Sequence, residues 1–170
     1  MILYQPIPRK GLRGKKMLTE IVKIQSYDDP SLERAANIIK NGGLVVFPTE
    51  TVYGLGADAT NEKAAERIYS AKGRPSDNPL IIHIAEPEWA DKYAYTNPTY
   101  YKLAERFMPG PLTVVMESKD TVPFKTRGGL NTVAVRCPSN EVAREIIKKC
   151  GFPIAAPSAN LSGSPSPTTA

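Results

Sequence analysis

Apolar residues recur at intervals of three and four in four regions of the chain, which is the pattern of helices with one buried face. These regions are residues 30–42, 61–73, 87–107 and 139–151. Asn61 and Ser139 are predicted to cap the second and fourth helices, because their side-chain oxygens can accept free backbone N–H groups of the first turn. Asn97 and Pro98 divide the third region into two helices.

Apolar runs that are too short for helices separate these regions and predict strands. The predicted strands are residues 21–24, 44–47, 80–84, 112–116, 132–135 and 153–156. The polar, glycine-containing stretch 49–60 is predicted to be irregular. Strands that alternate with helices indicate an α/β fold. The two strands on either side of the 120–131 loop could pair antiparallel, so the sheet is predicted to be mixed.

The composition is that of one globular domain. The chain has 170 residues, of which 41% are hydrophobic and 23% are charged. No apolar run approaches the roughly 20 residues that cross a bilayer, so we expect no membrane-spanning helix. The first residues lack the apolar core of about 7 to 15 residues that a signal peptide needs, which favours a cytoplasmic location.

The net charge of +5 comes entirely from the first 16 residues. That segment holds five basic residues and no acidic one, so the rest of the chain balances 17 basic against 17 acidic side chains. Residues 1–16 are therefore predicted to be a flexible basic leader, and residues 17–170 the folded domain. The balanced charge of that domain counts against an RNA-binding module.

Metal and redox chemistry find little support in the sequence. Cys137 and Cys150 do not have the spacing of a zinc or disulfide motif, and the chain has one histidine. Both cysteines are predicted to be buried free thiols. Gly54, Gly56 and Ala59 match the glycine pattern of a dinucleotide-binding loop, but no helix begins directly after them to hold a pyrophosphate.

Four polar side chains lie where predicted elements end, which is where ligands bind in open α/β sheets. Lys72 and Arg74 flank the end of a helix, where they could form an anion clamp or could simply complement the helix dipole. His83 alternates with two isoleucines and therefore faces away from them; it could bind a ligand or act as a structural hydrogen-bonding group. Arg136 closes a strand, where it could bind an anion or only reach water.

Five short motifs resemble, in their order and spacing, those of the YrdC family, the threonylcarbamoyl-AMP synthases. They are PTETVYGLG at 48–56, KGRPSDNPL at 72–80, MPGPLT at 108–113, TVAVR at 132–136 and AAPSAN at 155–160. The similarity runs from about Ile21 to Thr168. It implies a twisted mixed sheet with flanking helices around a deep cleft. It also implies an enzyme that joins L-threonine, bicarbonate and ATP into threonylcarbamoyl-AMP and pyrophosphate, for the N6-threonylcarbamoyladenosine modification of tRNA.

The resemblance assigns roles to individual residues of these motifs and of the segment that follows them. Binding of L-threonine is implied for Thr51, His83, Arg136 and the backbone at Ala156. Binding of ATP is implied for Arg74, Asn78, Thr132, Ser158 and Ser166. Lys72 is implied to be the catalytic residue, beside the reacting phosphate and carbamate.

Magnesium is implied as the ion that accompanies ATP, although the sequence offers no dedicated metal site; Glu50 and Asp77 are the acidic residues that could contribute. The expected partners besides the substrates are tRNA or the transferase that uses the product. Members of the family continue beyond the Ser-Pro-Thr-rich stretch, so this chain is expected to lack a C-terminal part. Two alternatives stay open: an RNA-binding module, and an inactive ligand-binding fragment of such an enzyme.

Overall fold

The computed structural model describes residues 2–5, as a strand, and residues 19–169. The strands are β1 Ile2–Gln5, β2 Glu20–Val22, β3 Leu44–Phe47, β4 Gly54–Asp58, β5 Ile81–His83, β6 Thr113–Glu117, β7 Thr132–Arg136 and β8 Ile154–Ala155. The helices are α1 Pro30–Lys40, α2 Glu62–Lys72, α3 Pro98–Phe107 and α4 Glu141–Cys150, with a 3₁₀ helix at Pro87–Lys92. None of the described helices is long and apolar enough to cross a membrane.

The strands of the described residues form one sheet in the order β2-β1-β3-β4-β8-β5-β7-β6. Strands β5 and β7 are parallel, whereas the other neighbouring pairs are antiparallel. The predicted mixed α/β sheet is confirmed, including the antiparallel pair β6 and β7 around the 120–131 loop. Strand β5 lies between β7 and β8, so that His83 at its end is opposite Arg136 of β7 and Ile154 at the start of β8.

Two apolar layers pack against opposite faces of the sheet. Along β3, Val45 and Phe47 belong to the layer under α1 and α4, whereas Leu44 belongs to the layer under α2 and α3. Burial of one large aliphatic or aromatic side chain contributes roughly 1.5–3 kcal/mol to folding. Cys137 and Cys150 are buried and free, as predicted. Burial raises the pKa of both thiols to about 12, so neither is a reactive thiolate near neutral pH.

The helix ends follow the predicted cap chemistry except at α4. The Asn61 side chain accepts two backbone N–H groups in the first turn of α2, which confirms it as a cap. Asn140, and not Ser139, caps α4, because its side-chain oxygen accepts the backbone N–H of Ala143 over 3.2 Å. The prediction of Ser139 was wrong because two good capping residues stand side by side and the helix begins only at Glu141.

The stretch 49–60, predicted to be irregular, contains strand β4. Its sequence GLGAD gives no strand signal, because glycine is depleted in strands. The structure requires glycine at this point. A Cβ atom at Gly56 would lie 2.5 Å from the ring of Phe47 and 2.7 Å from the side chain of Ile154. The absence of a side chain therefore lets β4 pair with β3 and β8 beneath these two groups.

Strand β1 lies inside the predicted basic leader. It pairs antiparallel with both β2 and β3. Residues 6–16 of that leader lie outside the described residues.

Candidate active site

A cavity of about 310 Å³ is lined by residues of β5, of β7 and of the segment that follows β8. His83 from β5, Arg136 from β7 and Ala156 beyond β8 contribute to its wall. Arg74 and Ser158 line it as well. Residues predicted from the family motifs for threonine and for ATP therefore border the same space.

The guanidinium group of Arg136 has one nitrogen engaged and one unpaired. Nη2 donates to the carboxylate of Glu50 over 2.6 Å and lies 3.2 Å from the hydroxyl of Thr51. Nε is buried and has no hydrogen-bond partner among the described residues. Burial raises the pKa of Glu50, but the hydrogen bond and the positive charge from Arg136 outweigh it, so the net pKa is lowered. Glu50 is therefore ionised at neutral pH and forms an ion pair with Arg136.

His83 borders the cavity and is 3% exposed. Its direction is the predicted one, since the neighbouring Ile82 packs in the apolar layer under α2 and α3. Nδ1 lies 3.2 Å from the carbonyl oxygen of Ile81. Burial, followed by the positive charge of Arg136, lowers the pKa of His83 to about 4. The imidazole is therefore neutral near pH 7 and acts as a hydrogen-bonding group, not as a cation.

Arg74 belongs to the turn at residues 74–79, between α2 and β5. Its Nη2 donates to the side-chain oxygen of Asn78 and to the carbonyl oxygen of Pro79, the latter over 3.1 Å. Its Nε is buried without a hydrogen-bond partner among the described residues, as are those of Arg136 and Arg127. Arg74 and Arg136 both line the first cavity, so two cationic side chains border one space, which favours an anionic ligand.

A second, more open cavity of about 260 Å³ shares Arg74 and Ser158 with the first. Lys72, at the end of α2, lines it and is only 4% exposed. The Lys72 ammonium donates to the backbone carbonyl oxygens of Ser158 and Asn160. Burial, followed by the nearby charge of Arg74, lowers the pKa of Lys72. An ammonium group has three N–H donors, so one remains for a ligand.

The other predicted ATP-binding residues differ in their placement. Asn78 lines the second cavity. The hydroxyl of Ser166 lies 3.4 Å from the side-chain oxygen of Asn160, which also lines that cavity. Thr132 lines neither cavity. It begins β7, and at about 3.3 Å per residue of strand it lies about 13 Å from Arg136.

Two contacts of this site were not predicted from the sequence. Glu50 was considered only as a metal ligand, whereas it pairs with Arg136, 86 positions away. Asn160 had no assigned role, yet its backbone accepts a hydrogen bond from Lys72. The sequence signal for both is that they lie within the family motifs.

The site has the character of an anion-binding site. No group of three or more His, Cys, Asp or Glu side chains is gathered within residues 19–169. Glu50 is engaged by Arg136, and Asp77 lines a different cavity beside Glu62. The donor set therefore does not fit a resident metal ion, and an ion here would depend on ligands that a substrate brings.

Comparisons with known proteins connect this site to one family. The profile of the Sua5, YciO and YrdC proteins, described as "Telomere recombination", matches residues 37–170. The threonylcarbamoyl-AMP synthase of Pyrococcus abyssi is 52% identical over 155 residues, which cover 90% of this chain and 46% of that protein. The synthase of Bacillus subtilis is 46% identical over 161 residues, with 94% and 46% covered.

Solved structures agree with the sequence comparisons. The crystal structure of P. abyssi Sua5 complexed with L-threonine matches with a TM-score of 0.81 and 54% identity. The match covers 84% of this chain and 42% of that one. The chain thus spans about half the length of the relatives that it matches.

Proposed function

Because the chain belongs to the Sua5/YciO/YrdC family, we propose that it catalyses the synthesis of threonylcarbamoyl-AMP from L-threonine, bicarbonate and ATP. The observation that carries this proposal is one cavity whose wall holds both Arg74 and Arg136, next to the buried Lys72. Two anionic ligands, a carboxylate and a triphosphate, suit these cations. The names of the relatives favour this enzyme over an RNA-binding module.

L-Threonine is assigned to the first cavity. Its carboxylate is paired with the guanidinium of Arg136, and the neutral imidazole of His83 can form a hydrogen bond to a polar group of threonine without adding charge. Thr51 supplies a hydroxyl beside Arg136, and the backbone at Ala156 forms part of the same wall. A relative from P. abyssi has been solved in complex with L-threonine, which supports L-threonine as a ligand of this chain.

The ATP phosphates are assigned to the region shared by the two cavities. Arg74 and Ser158 line both cavities, and Asn78 adds a polar side chain from the same turn. Ser166 lies at the edge of this region through Asn160. A role for Thr132 requires that the nucleotide extend beyond both cavities.

The chemistry that these groups serve has two steps. In the first step, the threonine amine forms a bond to the carbon of bicarbonate, water leaves, and the ammonium proton passes to solvent. In the second step, a carbamate oxygen attacks the α-phosphorus of ATP, and the bond to pyrophosphate breaks. Carbamate and triphosphate are both anions, so fixed cations and correct alignment lower the barrier. Lys72 is the cation best placed for this role.

Magnesium enters this scheme as part of the MgATP substrate, with the phosphates as its main ligands. The product is a threonylcarbamoyl donor for tRNA. A transferase that uses it, or tRNA itself, is therefore the expected partner, and that role favours a cytoplasmic location.

Calorimetric titration with L-threonine tests the assignment of the first cavity. Arg136→Gln removes the cation, and we expect the loss of roughly 2–5 kcal/mol of binding free energy. Arg67→Gln is the matched control, because Arg67 donates to the carbonyl of Gly42 and lines neither cavity. Equal threonine affinity in the two variants would refute the assignment.

A further inference from the structure

The turn that carries Arg74 and Asn78 is exposed at residues 75–78. Within it, Nη2 of Arg74 donates to the side chain of Asn78 and to the carbonyl of Pro79, and the backbone of Asn78 donates to that of Pro75 over 3.3 Å. These bonds hold Arg74 and Asn78 relative to each other, so the placement of the pair in the site depends on what holds the turn as a whole.

A neighbouring segment, residues 124–128, supplies that support; we call it the brace loop. Leu80, directly after the turn, donates its backbone N–H to the carbonyl of Thr126 over 3.0 Å. The hydroxyl of Tyr69 lies 3.0 Å from the carbonyl oxygen of Asn78 and 3.1 Å from that of Lys125. One phenol group therefore joins α2, the turn and the brace loop.

The brace loop also touches the turn through a glycine. Gly128 has a φ of +62°, and a Cβ atom there would lie 2.8 Å from the carbonyl oxygen of Asp77 and 2.9 Å from the nitrogen of Pro79. These are backbone atoms, which cannot rotate away as a side chain can. The closeness of the contact means that the position of Gly128 limits the position of the turn.

The brace loop is itself fixed to the body of the protein. Thr126 is fully buried, and its hydroxyl donates to the carbonyl of Ala59 over 2.9 Å. Inside the loop, Arg127 is 4% exposed and its guanidinium lies 4.0 Å from the ring centroid of Phe124, a contact that holds the loop in one shape. The brace loop therefore has a fixed position, and its contacts with the turn restrict where the turn can lie.

We propose that Tyr69 and the brace loop are positioning elements of the nucleotide site, which hold Arg74 and Asn78 in the orientation that the phosphates require. This inference rests on the proposed function, because it takes the ligand of the turn to be ATP. Neither Tyr69 nor the brace loop lines the two cavities, so both act through the turn. Arg74 also borders the first cavity, but His83 and Arg136, the threonine groups proposed above, come from β5 and β7 and not from the turn. Threonine binding should therefore change less than nucleotide binding when the turn moves.

The first test compares Gly128→Ala with Gly129→Ala. Both glycines have positive φ, so both substitutions strain the backbone, but a Cβ at Gly129 meets nothing within 4 Å. The dissociation constants of a non-hydrolysable MgATP analogue and of L-threonine are measured for each variant. Gly128→Ala should weaken nucleotide binding about tenfold more than Gly129→Ala, because misplacement of positioned groups by a fraction of an ångström is costly. The threonine constants of the two variants should agree within about twofold.

The second test removes one hydroxyl group. Tyr69→Phe should weaken binding of the same analogue severalfold and leave threonine binding unchanged. Tyr100→Phe is the control, since its buried hydroxyl also bonds a backbone carbonyl, that of Pro87, but lies away from the turn. It should change neither constant.

The outcomes separate this inference from the proposed function. A parent chain that binds no nucleotide would overturn both. A parent that binds the analogue, with Gly128→Ala and Tyr69→Phe equal to their controls, would overturn the positioning role alone. Equal weakening of threonine and nucleotide binding would also overturn it, because a general loss of structure moves both constants.

Discussion

Arg74 and Arg136 differ from ordinary surface arginines because both border one cavity. Each has a buried Nε with no partner in the described protein, but so has Arg127, which lines neither cavity, so it is the pairing of two guanidinium groups on one wall that favours an anion. Glu50 already takes Nη2 of Arg136, so it limits how an incoming carboxylate can approach. The residue chemistry thus favours a site for two anions over a site for a neutral ligand.

Lys72 should act on turnover more than on threonine binding. Its ammonium lies in the second cavity, away from Arg136 and His83, and its positive charge is most valuable when negative charge accumulates at the α-phosphate. Lys72→Ala should lower the rate of pyrophosphate release by about 10²–10³. Lys63→Ala, an exposed lysine on the same helix, is the control. An unchanged rate in Lys72→Ala would exclude Lys72 from the reaction.

His83 should make the stability of the fold depend on pH. Its pKa falls from 6.5 to about 4 on folding, mainly through burial. Between these two pH values the imidazole is therefore protonated in the unfolded chain and neutral in the folded chain. Protonation of His83 therefore costs no stability above about pH 6.5, and the free energy of unfolding falls progressively as the pH drops from 6.5 to about 4. Between about pH 7 and pH 5 the free energy of unfolding should drop by about 2 kcal/mol from this group.

Urea unfolding at several pH values measures this loss. The chain has one histidine, so His83→Asn should flatten the slope above about pH 5, where carboxylates contribute little. The same slope in His83→Asn and in the parent would contradict the assignment of a buried neutral imidazole.

For single residues, the sequence predicted which way a side chain points better than it predicted which residue the side chain contacts. The alternation in β5 correctly turned His83 away from Ile82, because side chains of a strand alternate between its two faces. The pairing of Glu50 with Arg136 could not be predicted, because it depends on which strands become neighbours. Positions that are 86 residues apart leave no local trace of such a contact.

At the scale of elements, helices were easier to predict than glycine-rich strands. Helices α1, α2 and α4 follow their apolar spacing closely, with glycine or asparagine at their ends. Strand β4 was not predicted because its glycines have low strand propensity. They are needed there because the side chains of Phe47 and Ile154 leave no room for a Cβ atom at Gly56.

The cap of α4 gives a test at this scale. Asn140→Ala removes the side chain that accepts the N–H of Ala143, and it should cost about 1 kcal/mol of unfolding free energy. Ser139→Ala should stay within about 0.5 kcal/mol of the parent, because its side chain makes no cap bond. Denaturant unfolding of both variants measures the difference. A larger loss of unfolding free energy in Ser139→Ala than in Asn140→Ala would show that Ser139 is the cap of α4 and would contradict the structure.

At the scale of the whole molecule, the sheet order explains why distant motifs form one site. The antiparallel β8 inserts between β4 and β5, and the parallel pair β5 and β7 brings His83 opposite Arg136. The motifs predicted a common site through family resemblance, but the strand order could not be derived from apolar spacing alone. The spacing of apolar residues predicts which face of a helix or strand is buried, but it does not predict which strands lie next to each other in the sheet.

The synthesis of threonylcarbamoyl-AMP by this chain is the most direct test of the whole scheme. The chain is incubated with L-threonine, isotope-labelled bicarbonate and MgATP, and the nucleotides are separated and counted. We expect a labelled nucleotide that forms only when threonine and ATP are both present, with one pyrophosphate released per molecule. If each ligand binds but no labelled nucleotide forms, the chain is an inactive ligand-binding fragment and the proposed activity is contradicted.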